Sequence, residues 1–242
     1  MSEHEQLQQV LDQAVRGRDR LQVLEAGCGS VSRLRCPPGS HLAGIDISER
    51  QLAANAMLHE KILGDVQSFR WPRPRFDVIV SWDLLEHLAQ PRSAITNLSE
   101  ALLDGGLLVL ALPNLLSLKG LVTKCTPWQV HVWFYRYVIG DRRDPSQWDQ
   151  FPTYLRRDVA PSRLMRHAGS LGLETIWCCR YEGPVQRHLR GKHPMADRAF
   201  AVARAVGTTL TLNAWDPTLS DCLLVLRKTG TNHAGARGRH DA

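Results

Sequence analysis

The sequence predicts an α/β fold built on a doubly wound sheet, and three observations predict it. Short apolar runs recur through the first half of the chain and each stops on glycine or an acid: Leu21, Val23 and Leu24 lead into Gly27-Cys28-Gly29, Leu42-Ala43-Gly44-Ile45 ends in Asp46, and Ile62-Leu63-Gly64 ends in Asp65. Helical patterns separate these runs. A fourth run, Phe76–Trp82, has the unbroken apolar character of a strand buried on both faces, which places it at the centre of a parallel sheet.

Taken in order, residues 3–16 carry Leu7, Val10, Leu11, Ala14 and Val15 at helical intervals and read as an amphipathic helix. The first strand breaks at Gly27-Cys28-Gly29, where missing side chains let the backbone turn sharply and approach a ligand closely. Between Ser30 and Gly39 there is room for a compact helix only, before Pro37-Pro38-Gly39 forces a break. Ser48 and Gln51 have the spacing of a capping box, opening a helix that runs to about His59. Trp71-Pro72-Arg73-Pro74-Arg75 is a turn-rich approach to the fourth strand. A helix follows over 91–103, with Pro91 in its first turn, and Asp104-Gly105-Gly106 ends it before a fifth strand over 107–112. Residues 113–157 then lack regular strand signals, whereas connections in compact domains take about 4–6 residues, so this stretch reads as a lid or substrate-binding insertion. It holds His131-Val132-Trp133-Phe134-Tyr135-Arg136-Tyr137, the densest aromatic cluster in the chain. A helix over 162–171 ended by Gly172, a sixth strand over 173–179, a helix over 195–212 and a last strand over 222–226 complete the pattern.

The 242 residues suffice for one α/β domain with a good core, and 43% apolar with 22% charged residues are ordinary globular values. The formal charge of +6 permits an acidic partner without demanding one, because several arginines sit in the tail around Arg237 and Arg239. That tail, 231–242, reads as disordered and solvated. Six cysteines, at 28, 36, 125, 178, 179 and 222, form no Cys-x-x-Cys pair, so neither a zinc site nor a disulfide framework is indicated and a reducing interior fits. The start Met1-Ser2-Glu3-His4-Glu5 is polar and acidic, unlike a secretory signal. The longest apolar stretch, around 106–118, is interrupted by Pro113 and Asn114 and is too short to insert across a bilayer. A cytoplasmic protein is the expectation.

A carboxylate roughly 20 residues beyond a glycine turn, at the tip of the neighbouring strand, can accept both hydroxyls of a ribose. Asp46 stands at that position, and the repeated strand-then-acid grammar points to a bound adenosine moiety. The blocks Glu25-Ala26-Gly27-Cys28-Gly29, Gly44-Ile45-Asp46-Ile47-Ser48, Gly64-Asp65, Phe76-Asp77-Val78-Ile79-Val80-Ser81-Trp82-Asp83-Leu84-Leu85-Glu86-His87-Leu88 and Asp104-Gly105-Gly106-Leu107-Leu108-Val109-Leu110 resemble, in order and spacing, the motifs of class I S-adenosylmethionine (SAM)-dependent methyltransferases. Within them the chain is similar to the small-molecule branch that includes the ubiquinone-biosynthesis type, well over 20–113 and weakly elsewhere. The resemblance implies a Rossmann-like, seven-stranded, mostly parallel sheet with a lid insertion after the fifth strand and a last strand that is commonly antiparallel. It further implies one domain over 1–230, with SAM as cosubstrate and S-adenosylhomocysteine (SAH) as product.

On the same resemblance, Glu25, Gly27, Cys28 and Gly29 shape the turn under the methionine part of SAM, with Glu25 reaching its amino group. Asp46 takes the ribose hydroxyls, Ile47 flanks the adenine, and Asp65 with Val66 meets the adenine amine. Ser81 and Trp82 leave the fourth strand beside the first, where strand order reverses and ligands bind in open α/β sheets. His87 and His131 are the candidate general bases, since imidazole titrates near neutrality. Their rival reading is plain packing, beside the cofactor for His87 and within the aromatic cluster for His131. Arg136, Arg142 and Arg143 read as a solvated charged face, with substrate anion recognition as the alternative.

The sequence also departs from neighbouring patterns. Ser32 stands where a dinucleotide fingerprint wants Gly or Ala, which weakens an NAD reading. No Asn-Pro-Pro-Tyr-type block follows the fourth strand, which argues against base-flipping amino methylation. The leading expectation is methyl transfer to a small molecule, an oxygen of a sugar, quinone precursor or similar metabolite, with no nucleic-acid partner. Two alternatives stand beside it: methylation of RNA or another macromolecule, and a SAM-binding partner protein without catalysis.

Overall fold

The computed structural model describes residues 1–32, 35–120 and 156–230. Seven strands form one sheet: β1 (Gln22–Ala26), β2 (His41–Asp46), β3 (Glu60–Leu63), β4 (Phe76–Trp82), β5 (Leu102–Pro113), β6 (Leu173–Tyr181) and β7 (Asp221–Lys228). Their order is β3-β2-β1-β4-β5-β7-β6, and β7 runs antiparallel to both of its neighbours. The chain therefore winds outward twice, from β1 toward β3 and from β4 toward β6, and the reversal falls between β1 and β4. All strands from β1 to β5 are parallel, so their carboxyl ends share one edge.

Alternation along the strands builds a core on each face. Leu24, Ile79, Leu108 and Leu226 lie in one row across four strands and face α3 (Pro91–Ala101) and α4 (Pro161–Ser170), where they meet Ile95, Leu98 and Leu164. Val80, Val109 and Val225 lie in the next row on the opposite face, in the core that α1 (Glu3–Ala14) completes with Leu7 and Leu11. Both faces are covered, which is why these strands read as continuous apolar runs rather than alternating ones.

The helix ends follow local chemistry. A full capping box starts α1, with Ser2 N donating to Glu5 Oε2 at 2.7 Å and Glu5 N to Ser2 Oγ at 3.3 Å. α2 (Glu49–Ala54) has Ser48 as its N-cap, as its sequence predicts, but it stops well short of His59. The cause is Asn55, which leaves helical geometry and, fully buried, donates its side-chain amide to Gly29 O at 3.3 Å. No helix occurs among the described residues of 30–39, a correction to the compact helix expected there; Pro37 O instead accepts from Ser40 N in a turn. α3 ends at Ala101 and β5 begins at Leu102, earlier than the expected 107, with Gly105 inside the strand at φ of 75°. The helix expected over 195–212 is present as α6 (Pro194–Leu210), and a further helix that the sequence pattern did not signal, α5 (Pro184–Lys192), precedes it; each has proline in its first turn. Most of the expected lid, residues 121–155, lies outside the described residues, as does the tail 231–242. Among the described residues no helix is long and apolar enough to cross a membrane.

Leu108 is wholly buried at the centre of the sheet. Leu108→Ala removes its methyl groups and leaves a cavity, and should cost about 2–5 kcal/mol in urea unfolding with an unchanged m-value.

Candidate active site

The candidate site is the carboxyl edge at the β1–β4 reversal, with the turn after β1 as its floor. Gly27 and Gly29 have φ of 68° and 53°, the left-handed region that side chains disfavour. A Cβ on Gly27 would lie 2.8 Å from Leu84 Cδ1, so this glycine is also required by the loop after β4 packing on it. A Cβ on Gly29 would meet nothing within 4 Å, so the space over that residue is open.

Three contacts hold the turn. Gly27 N donates to Ile45 O at 2.8 Å, tying it to β2. Asp46 accepts from Gly29 N through Oδ2 at 3.0 Å and from Ser48 N through Oδ1 at 2.9 Å. Asn55 braces it from below through Gly29 O and, at 3.4 Å, Ser32 Oγ. Cys28 is buried, and its Sγ occupies the space that a side chain at Gly44 would need, at 2.7 Å from the Cβ position. Burial, aided by Asp46 and Glu25, pushes the Cys28 thiol up to about 12, so it is a packing group at neutral pH.

The other expected cofactor residues divide. Glu25 is buried at 3% exposure behind the turn, near enough to Cys36 to raise that thiol as well. Ile47 is 59% exposed beside Asp46, an apolar surface with nothing of the described protein covering it fully. Asp65 takes Gln67 N at 2.9 Å and the Gln67 amide on both oxygens at 3.1 Å, while Gln67 Oε1 accepts from Gln90 N ahead of α3. Val66 lies in the core under α3 and its carbonyl accepts from Asn97 Nδ2 at 3.0 Å, so its side chain is packing rather than cleft surface. Ser81 is 1% exposed and its Oγ has no hydrogen-bond partner among the described residues. Trp82 points to the α1 side, where His4 stacks on it with centroids 5.3 Å apart.

The loop after β4 carries the most perturbed acid. Asp83 has φ of 48°, unusual for a residue with a side chain, and Leu85–His87 form a single 3-10 turn. Glu86 is 6% exposed, and burial pushes its carboxyl up to about 8; its own backbone N–H opposes this, Asp83 adds to it, Lys119 opposes it and Asp221 adds again. His87 Nε2 lies 4.0 Å from Glu86 Oε1. Asp221 heads β7, which brings it to this edge because β7 is antiparallel, and Lys119 Nζ lies 3.6 Å from its Oδ1. Tyr181 ends β6, its hydroxyl held above the usual phenol range by burial, then Asp221 and Asp83. His131 falls outside the described residues, so only His87 of the two expected bases is placed at this edge.

The sequence named Glu86 only as the neighbour of His87, and it did not signal Asn55, Lys119, Tyr181 or Asp221. Their roles come from contacts between distant segments, which local patterns do not encode. A separate hollow of about 530 Å³, lined by Arg18, Pro74, Asp77, Leu103 and Asp104, lies at the opposite, amino edge of the sheet.

A doubly wound sheet with this strand order, a glycine turn at the reversal and acids at the tips of β2 and β3 defines the class I nucleoside-cofactor fold. A family model described as a methyltransferase domain matches residues 2–171, and the chain belongs to that family. It is 26% identical over 200 residues to a ubiquinone biosynthesis O-methyltransferase of Leptothrix cholodnii, covering 75% of this chain and 71% of that one. In fold it resembles a SAM-dependent methyltransferase from Mesorhizobium loti, with a TM-score of 0.54 at 12% identity over 92% of this chain and 96% of the other. The protein is a SAM-dependent methyltransferase. The open space over Gly29 and the exposed Ile47 fit a nucleoside cosubstrate lying along this edge.

The buried Glu86 also sets a pH dependence of stability. Its folded value is raised, so the group stabilises fully below about 4.5, where both states are protonated, and that contribution is lost as pH rises toward about 8. The loss is up to about 1.4 kcal/mol per pH unit in that window. Glu86→Gln should flatten the decline, and urea midpoints at pH 5, 6, 7 and 8 measure it.

Proposed function

We propose that this carboxyl edge binds SAM and directs its methyl group to an oxygen of a small-molecule acceptor, with the acceptor seated over the β4, β5 and β7 ends. The observation that carries the reading is Asp46 gripping Gly29 N while lying at the tip of β2, beside the strand reversal. A carboxylate has lone pairs enough to accept two backbone N–H groups and still take ribose hydroxyls. In this reading Glu25 and the 27–29 turn hold the methionine part, Ile47 packs on the adenine and Asp65 meets its amine. When bound, SAM supplies an activated methyl on a sulfonium, and the product is SAH. What the protein adds is chiefly position, which is worth about 7–11 kcal/mol for well-aligned reactants.

An oxygen acceptor is favoured on two grounds. The Leptothrix relative is named an O-methyltransferase. The acceptor end also offers groups suited to a hydroxyl, with His87 as the candidate among the described residues to orient it and Tyr181 and Trp82 as aromatic walls; His131 is a second candidate on sequence grounds. Domain limits of 1–230, with 113–157 covering the acceptor, belong to the same proposal.

The test of the reaction is incubation with SAM and a panel of phenols and sugars, with mass spectrometry of the products. SAH formation with an O-methylated panel member is expected; methyl transfer only to RNA or protein would contradict the reading. Asp46→Ala should weaken SAM binding by at least about tenfold in calorimetry, since it removes the ribose acceptor and frees the Gly29 amide together. Unchanged affinity would take Asp46 out of the site.

A further inference from the structure

Glu86 is a buried acid that the cofactor contacts do not use. It stands three residues past Asp83 on the turn that follows β4, and Leu84 of the same loop packs against Gly27. Its Oε2 has no hydrogen-bond partner among the described residues, although the residue is only 6% exposed. The charged groups that face it are Asp83 on its own loop, His87 beside it, Lys119 beyond β5 and Asp221 at the head of β7. Asp83 and Asp221 oppose a third carboxylate while Lys119 and the Glu86 backbone N–H favour it, and a buried carboxylate with one oxygen unpartnered among the described residues is costly to ionise. Burial at 6% exposure with Oε2 so placed thus biases Glu86 toward its protonated form in the free protein.

We propose that Glu86 is the proton acceptor for the hydroxyl that becomes methylated, and that the positive charge of bound SAM is what ionises it. This rests on the methyl-transfer reading above. Glu86 takes the hydroxyl proton as the oxygen–carbon bond forms; the carbon–sulfur bond breaks and its electron pair stays on sulfur as the neutral thioether. Charge balances, one cation and one carboxylate giving a neutral thioether and a neutral acid. The arrangement ties the base to the cosubstrate: without the sulfonium there is no carboxylate to deprotonate the acceptor.

Binding alone tests it, with no acceptor present. SAM and SAH differ in the sulfonium charge, so SAM should expel a proton from Glu86 on binding and SAH should not. In wild-type protein the preference for SAM over SAH should grow about tenfold between pH 6.5 and pH 9. Glu86→Gln should abolish that growth while still binding both ligands, and His87→Ala should retain it. Calorimetry of the wild-type protein at pH 7 in phosphate and in Tris gives the proton count without any variant; more protons released with SAM than with SAH is expected. Equal release, or the same pH response in the glutamine variant, would overturn the assignment of Glu86 while leaving SAM binding intact. Failure of wild-type protein to bind either ligand would overturn the methyl-transfer reading and this one with it.

Discussion

One carboxylate organises the β1–β2 half of the candidate site. Asp46 closes β2 and accepts from Gly29 N and Ser48 N, so the turn after β1 and the entry to α2 are pinned to the same two oxygens. The turn cannot be tied in this way without glycine, because both Gly27 and Gly29 sit at positive φ. Asn55 adds the second brace from the far end of α2, and doing so ends that helix after six residues. Short helix, tight turn and acidic strand tip are thus one structure. A cleft floor fixed by backbone hydrogen bonds needs little rearrangement to receive a ligand, which is what catalysis by positioning requires.

The β4–β7 half of the candidate site, where the proposed acceptor would lie, is built by topology instead. Because β7 is antiparallel, its first residue, Asp221, reaches the edge where the parallel strands end, and β6 delivers Tyr181 beside it. The loop after β4 meets them with Asp83 and Glu86, and Lys119 enters from beyond β5. The α1 helix closes the outer side: Glu3 pairs with Arg187 of α5 at 2.5 Å, and His4 stacks on Trp82 and meets Tyr181 edge-on. The two halves touch where Leu84 fills against Gly27, so the cofactor turn and the loop bearing Glu86 share a contact.

The sheet, and the positions of the glycine turn and acidic strand tips along its edge, were legible because their signals are local. The apolar runs of β1, β2 and β4 end on the residues that line the carboxyl edge at the strand reversal, and burial on both faces makes those runs continuous. The antiparallel last strand came from the family resemblance and is present as β7. What was not legible depended on distant partners. α5 has Gln186 as its one buried residue and carries Arg187, Arg190 and Lys192, so it has almost no apolar stripe to read. Among the described residues of 30–39 turns stand in place of the expected helix, with Pro37 and Pro38 limiting its room. Val66, expected near the adenine from the family resemblance, has its side chain in the core under α3, a burial set by packing against a distant helix. The environment of Glu86 could not be foreseen, because it is made by Lys119 and Asp221 from other strands' ends.

The whole account places an adenosyl ligand over the 27–29 turn at the reversal between β1 and β4. A crystal structure of the protein with SAH tests this most directly. It should show the ribose hydroxyls within hydrogen-bond distance of Asp46 and the thioether sulfur on the side of the Gly27 turn that faces the β4 loop. Density for SAH anywhere else, or a ribose with no contact to Asp46, would contradict it.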